Sequence, residues 1–218
     1  MNRLPGTNAE ELSYLALRKI VGIIGCTLPF ALVFGKTIFQ GSGIEDSVSG
    51  YYYTDMGTWF VGSLCAIGVF LLATKGYGGW DVITGILAGV FAIGVGLLPT
   101  TLCDNPTETQ QCIGHVHLTC AALLFFTLGC MSLFLFTKTN QTKENMTAQK
   151  RQRNWVYRIC GLLIFVCIGV ILVYKLSPVG TADSCVAGHA LVFWFESIAI
   201  VAFGFAWLVK GETILKDK

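Results

Sequence analysis

Charge is scarce in this sequence. Of its 218 residues only 13% are Asp, Glu, Lys or Arg, about half the share of an ordinary soluble domain. So few charges cannot cover a water-facing surface, and 54% of the chain is hydrophobic. The combination excludes a soluble globular protein and leaves the hydrocarbon of a bilayer as the solvent. The net charge of +2 is too small for a nucleic-acid partner. Also missing are a Gly-rich phosphate loop, a dinucleotide fingerprint, a C-x-x-C pair and an H-E-x-x-H pair. No A-x-A-like cleavage site follows the first apolar run, and Glu10 and Glu11 precede that run, which argues against a cleaved signal peptide.

In place of charge there are long apolar runs. A spanning helix needs roughly 20 apolar residues, each rising about 1.5 Å through a core about 30 Å thick. Six stretches qualify: 20–39, 57–74, 82–100, 113–137, 155–174 and 186–209. They predict an all-α polytopic membrane protein, a single six-helix transmembrane domain over 1–218. Connections this short force antiparallel neighbours and a compact bundle. Gly85-x-x-x-Gly89 and Ala92-x-x-x-Gly96 predict a small-residue face on the third helix for close packing.

Orientation follows from the basic residues. With six spans, thirteen of the fifteen Lys and Arg fall on one side, and only Lys36 and Lys175 on the other. The rule that positive loops stay cytoplasmic then predicts both termini inside. On the opposite, outer side stand all three histidines, His115, His117 and His189. Six cysteines lie within the runs as small apolar residues. Cys103 and Cys112 flank a short outer hairpin and are expected to form a disulfide, with Cys185 the competing partner.

The sharpest single signal is Glu196. Counted from Val186 it lies about 15 Å into the last helix, near the middle of the bilayer, where an ionisable group is costly unless paired or protonated. It is read as a functional group or as a protonated hydrogen bond between helices. The first outer loop, Ser47-Val-Ser49-Gly-Tyr-Tyr52-Tyr-Thr-Asp55, is dense in hydroxyls. It is expected either to line a headgroup pocket over the bundle or to anchor at the interface. A zinc site on His117 and His189 with Asp55 is the alternative that such residues raise. Against it, His115 and His117 point about 200° apart on a helix, and no H-x-x-x-H pair exists. The run Lys150-Arg-Gln-Arg-Asn-Trp-Val-Tyr-Arg158 is expected to pin the inside loop and to contact anionic headgroups.

Several runs resemble one group of proteins. They are Ser47-x-Ser49-x-Tyr-Tyr-Tyr-Thr-x-Met56, Phe60-Val-Gly-x-Leu-Cys-Ala-x-Gly-Val-Phe-Leu, Lys75-Gly-Tyr, His117-Leu, Leu135-Phe-Thr-Lys138 and Arg153-Asn-x-x-Tyr-Arg-x-Cys-Gly161. To these are added Phe193-Trp-x-Glu196-Ser and Phe203-Gly-x-x-Trp-Leu-Val-Lys-Gly-Glu212. The signature is similar to a family of uncharacterised bacterial six-helix integral membrane proteins, a domain of unknown function, and distantly to the Frag/DRAM group. That resemblance implies a six-helix fold in a bacterial inner membrane and supplies no activity. A looser similarity is to transmembrane hydrolases such as alkaline ceramidases, which use Ser, Asp and three His.

Three functions are therefore expected, in this order. The first is a non-catalytic protein that binds a lipid or small ligand in an outward-facing cavity lined by Ser47, Ser49, Tyr52, His117 and Glu196. The second is a membrane-embedded lipid hydrolase using His117, His189 and Asp55, with or without zinc. The third is a small proton-coupled transporter with Glu196 as its protonation site.

Overall fold

The computed structural model describes residues 5–41, 43–74, 78–101, 105–138, 147–178 and 190–215, with side chains from Tyr14 onward. Six helices and no strand occur among them: α1 Pro5–Gln40, α2 Gly57–Leu72, α3 Gly79–Leu97, α4 Glu108–Leu135, α5 Ala148–Leu176 and α6 Leu191–Lys210. A 3-10 turn, Ser49–Tyr53, precedes α2. Five of the helices are long and apolar enough to cross a membrane, while α2, with 16 residues, is shorter.

Local chemistry explains where the ends depart from the apolar runs. The helix α4 starts before its apolar run because Thr107 and Gln110 form a reciprocal capping box. The helix α5 starts seven residues ahead of its apolar run, where the Thr147 side chain accepts from the Lys150 amide. The helix α3 stops at Leu97 because Leu98 precedes Pro99 and is held extended. Polar capping residues contribute nothing to a hydropathy run, so the run alone places these ends inaccurately. Residues 186–189, the expected start of the last helix, lie outside the described residues.

The helices form a closed ring in chain order. Each packs on its sequence neighbours, α6 closes on α1, and α6 also reaches α4 across the middle. The helix α6 is the hub: 56% of its apolar window is buried, against 22–33% in the other long spans. Missing Cβ atoms permit the closest approaches. A Cβ on Gly204 would lie 2.5 Å from the Cys26 amide nitrogen of α1. On α3, Gly89 and Gly96 face Gly68 and Leu64 of α2, so the predicted small-residue face is the α2–α3 seam.

The short α2 is compensated by the loop before it. Val48, Tyr51 and Met56 are all buried in the common core, so segment 46–56 is tucked into the bundle rather than lying over it. A Cβ on Gly57 would collide with the Tyr52 carbonyl oxygen, which is why the turn into α2 needs glycine. The bundle thus has a loop end, where this segment sits, and a terminal end, where α1 begins and α6 finishes.

Candidate functional site

Segment 44–53 is tied to three helices. The Lys36 ammonium at the end of α1 pairs with Glu45. The Tyr53 hydroxyl donates to the Thr100 carbonyl beyond α3 (2.8 Å). At α6 there are two bonds: the Phe193 amide donates to the Asp46 carbonyl (2.9 Å), and the Val48 amide donates to Glu196 Oε2 (2.7 Å). The first-turn amides of α6 have no intrahelical acceptor; the loop supplies one for Phe193, and Glu196 reaches back to hold the loop.

Beneath the segment lies a cavity of about 50 Å³, lined by Val48 and Ser49, by α2, α3 and α4, and by Glu196, Ile200 and Phe203 of α6. Its polar groups are few: the Ser49 hydroxyl, the His117 imidazole and the Glu196 carboxylate. Glu196 is half-buried and lines this cavity. The volume suits a few waters or a very small solute and falls far short of the several hundred Å³ of ordinary ligand pockets.

His117 is 4% exposed, and its Nδ1 lies 2.7 Å from the Leu98 carbonyl. That carbonyl sits at the C-terminus of α3, where helical oxygens lack partners. A carbonyl only accepts, so Nδ1 carries the proton and the neutral ring keeps Nε2 as an acceptor. Ser49 Oγ is 3.2 Å from Ser47 Oγ, and Ser47 Oγ accepts from the Gly50 amide (3.0 Å). Burial pushes the Tyr51 phenol, in the same turn, above its ordinary pKa.

Of the residues singled out from sequence, Ser49, His117 and Glu196 are brought to one cavity. Ser47 supports Ser49 from behind, and Tyr52 packs against the core without lining the cavity. Asp55 is exposed. His189 lies outside the described residues. So does Cys103, the expected partner of Cys112, which is exposed in α4. Glu196 is in the second turn of α6, about 7.5 Å past Leu191. The loop descends to meet it.

Two groups of the site are invisible to side-chain reading, the Val48 amide and the Leu98 carbonyl. The second had a signal, since a proline at 99 stops α3 and leaves its last oxygens to be satisfied. Among the described residues no group of three His, Cys, Asp or Glu converges to hold a metal. The Ser49 hydroxyl bonds Ser47, and no serine–histidine bond occurs among the described residues. Comparison with family models, with curated proteins and with solved structures finds no match.

Proposed function

We propose that this is a six-span protein of a bacterial inner membrane, with both termini cytoplasmic, that binds a small hydrogen-bond-donating solute under a loop acting as its cover. The observation that carries the reading is the Glu196 carboxylate. It lines the cavity while its Oε2 holds the covering loop through the Val48 amide. The cavity offers acceptors: the Glu196 carboxylate and the Ser49 oxygen, with the His117 ring beside them. A small amine or monovalent cation matches that set better than a lipid, which the volume does not admit in this closed form. The resemblance to bacterial six-helix membrane proteins supports the span count and the membrane.

The test is a thermal-unfolding screen of the purified protein in zwitterionic detergent. Ammonium, methylammonium, guanidinium and sodium are compared at equal ionic strength, wild type beside Glu196→Gln. Stabilisation by one of these ions in wild type, lost in the variant, supports the reading. A wild type indifferent to all four sinks it. Labelling of single cysteines at 55 and 213 from either side of sealed vesicles tests the orientation, which requires label at 55 only from outside.

One observation favours a second reading, proton-coupled transport. The carboxylate holds the covering loop through the Val48 amide, so its protonation state and the loop position are linked. Proton-driven uptake of the same ions into proteoliposomes, abolished in Glu196→Gln, would establish it. The hydrolase reading gains neither a nucleophile–base pair nor a metal cluster among the described residues.

A further inference from the structure

The helix α1, at 36 residues, serves different partners with its two halves. The inner half is locked to α6. A Cβ on Gly22 would lie 2.7 Å from the Leu208 side chain, and one on Gly25 would lie 3.0 Å from the Gly204 Cα. The Cys26 thiol donates to the Val201 carbonyl (3.8 Å). Helices packed this closely have no slack in which to tilt against each other.

The outer half stands apart from α6. Between the two runs a groove of about 490 Å³, with Phe30, Val33 and Phe34 on one wall and Trp194, Ile198 and Phe205 on the other. Phe30 and Phe34 are 56% and 66% exposed, so this side of α1 is not clamped. The other side is fastened to the covering segment. A Cβ on Gly35 would collide with the Met56 side chain, and Lys36 pairs with Glu45.

The change of partner falls at Pro29, which lies inside α1 and lines the groove. Proline has no amide hydrogen, so the Gly25 carbonyl loses its helical donor, and the ring crowds that same carbonyl. A helix bends most readily at such a residue. Beyond α1, Gly41 and Gly43 stand at φ 90° and 118°, conformations that only glycine adopts freely. The backbone there transmits little, and the Lys36–Glu45 pair bridges it.

The covering segment has its own internal bonds: the Thr54 amide donates to the Tyr51 carbonyl (3.1 Å) and the Gly57 amide to the Thr54 carbonyl (2.9 Å). Its far end is held on Thr100 through the Tyr53 hydroxyl (2.8 Å). Toward α6 it is held by two bonds, Val48 to Glu196 and Phe193 to Asp46. Both lie on the side that the outer half of α1 would carry away.

We propose, resting on the reading of segment 44–53 as the cover of the Glu196 cavity, that this segment and the outer half of α1 form one lid hinged at Pro29. The lid opens by swinging away from α6, and the Val48 and Phe193 bonds break together. The groove already separates that half of α1 from α6, so the swing gives up little apolar contact. Segments with few buried contacts are the ones that open locally, and hinge residues at element ends or breaks absorb the change.

Amide hydrogen exchange of the full chain in detergent, with no solute added, tests the hinge. Pro29→Ala supplies a donor for the Gly25 carbonyl and stiffens the bend. It should slow exchange at Val48 and at Phe193 by one common factor, about five-fold, because a single opening exposes both. Thr54, bonded within the segment, and Thr213, bonded to the Leu208 carbonyl at the other end of α6 (3.1 Å), should keep their rates. Lys36→Gln leaves the α1 backbone alone and should quicken Val48 and Phe193 together by about the same factor. Unchanged rates in either variant overturn the proposal, as do unequal changes at Val48 and Phe193 or equal slowing of all four amides. Failure here leaves solute binding at Glu196 standing, and a wild type indifferent to the four cations leaves the hinge standing.

Discussion

At its loop end α6 carries one acid, Glu196, and the bundle brings a backbone amide, a hydroxyl and a single imidazole toward it. At its terminal end it carries Lys210, over the Phe136 ring, and the bundle places Lys150 over Tyr157 and Arg153 opposite Glu212. The first assembly is nearly satisfied within itself: a short bond to Val48, a tautomer fixed by Leu98 and a cavity of about 50 Å³. In the second, Lys150 and Lys210 stand over aromatic rings, Arg153 faces Glu212 at 4.0 Å, and Glu212 has a left-handed backbone. Buried polar groups that have their partners rigidify a fold, whereas a left-handed L residue stores strain at a single position. The loop end is therefore held by buried hydrogen bonds, and the terminal end carries its strain in the backbone of Glu212.

Both ends depend on the seam that joins α6 to α1, so the largest effect is expected there. A methyl group on Gly204 would run into the Cys26 amide and the Gly22 carbonyl of α1. Overpacking against backbone, which cannot rotate aside, costs about 3 kcal/mol. Gly204→Ala should therefore lower the unfolding midpoint in detergent and disturb both ends together. Gly62, in α2, has open space where its Cβ would be, and Gly62→Ala should be neutral or mildly stabilising. If the two substitutions behave alike, the seam does not organise the ends.

Next come the two substitutions that separate packing from partnership at the loop end. Glu196→Ala leaves the Val48 amide buried without an acceptor, a loss of about 2 kcal/mol. Glu196→Gln keeps an oxygen at that position and should cost much less. Hydrogen exchange at Val48 reads the difference directly, and equal exchange in the two variants would show that the bond does not hold the loop. His117→Ala should cost about 1 kcal/mol by orphaning the Leu98 carbonyl, with faster exchange confined to the end of α3. An effect spread over the whole bundle would mean that His117 acts by filling volume instead.

The two ends were not equally legible in the sequence. Glu196 and His117 stand out because a polar side chain in an apolar run is conspicuous, and both are at the cavity. The loop around Val48 was legible in composition but not in position. Its tyrosines suit an interfacial anchor as well as a buried turn, and only the bond from a backbone amide decides between them. The bounds of α4 and α5 were missed because Thr107 and Thr147 act through single hydrogen bonds, which a hydropathy window does not register. At the terminal end the basic run was visible and its topological meaning obvious, which concealed the rest. Nothing in Lys210-Gly-Glu212 states that the glutamate, and not the glycine, takes the left-handed place.

Glu212 also carries the smallest expected effect and the most discriminating sign. Glu212→Gly relieves a left-handed L residue, worth about 1 kcal/mol of backbone strain, and removes one loose, partly exposed ion pair worth less than that. The variant should be more stable than wild type by about 0.5 kcal/mol, measured as a shift in the unfolding midpoint. Among the substitutions of polar residues at the two ends it alone should stabilise. If Glu212→Gly instead destabilises, the Arg153–Glu212 pair is a structural bond that holds the end of α6.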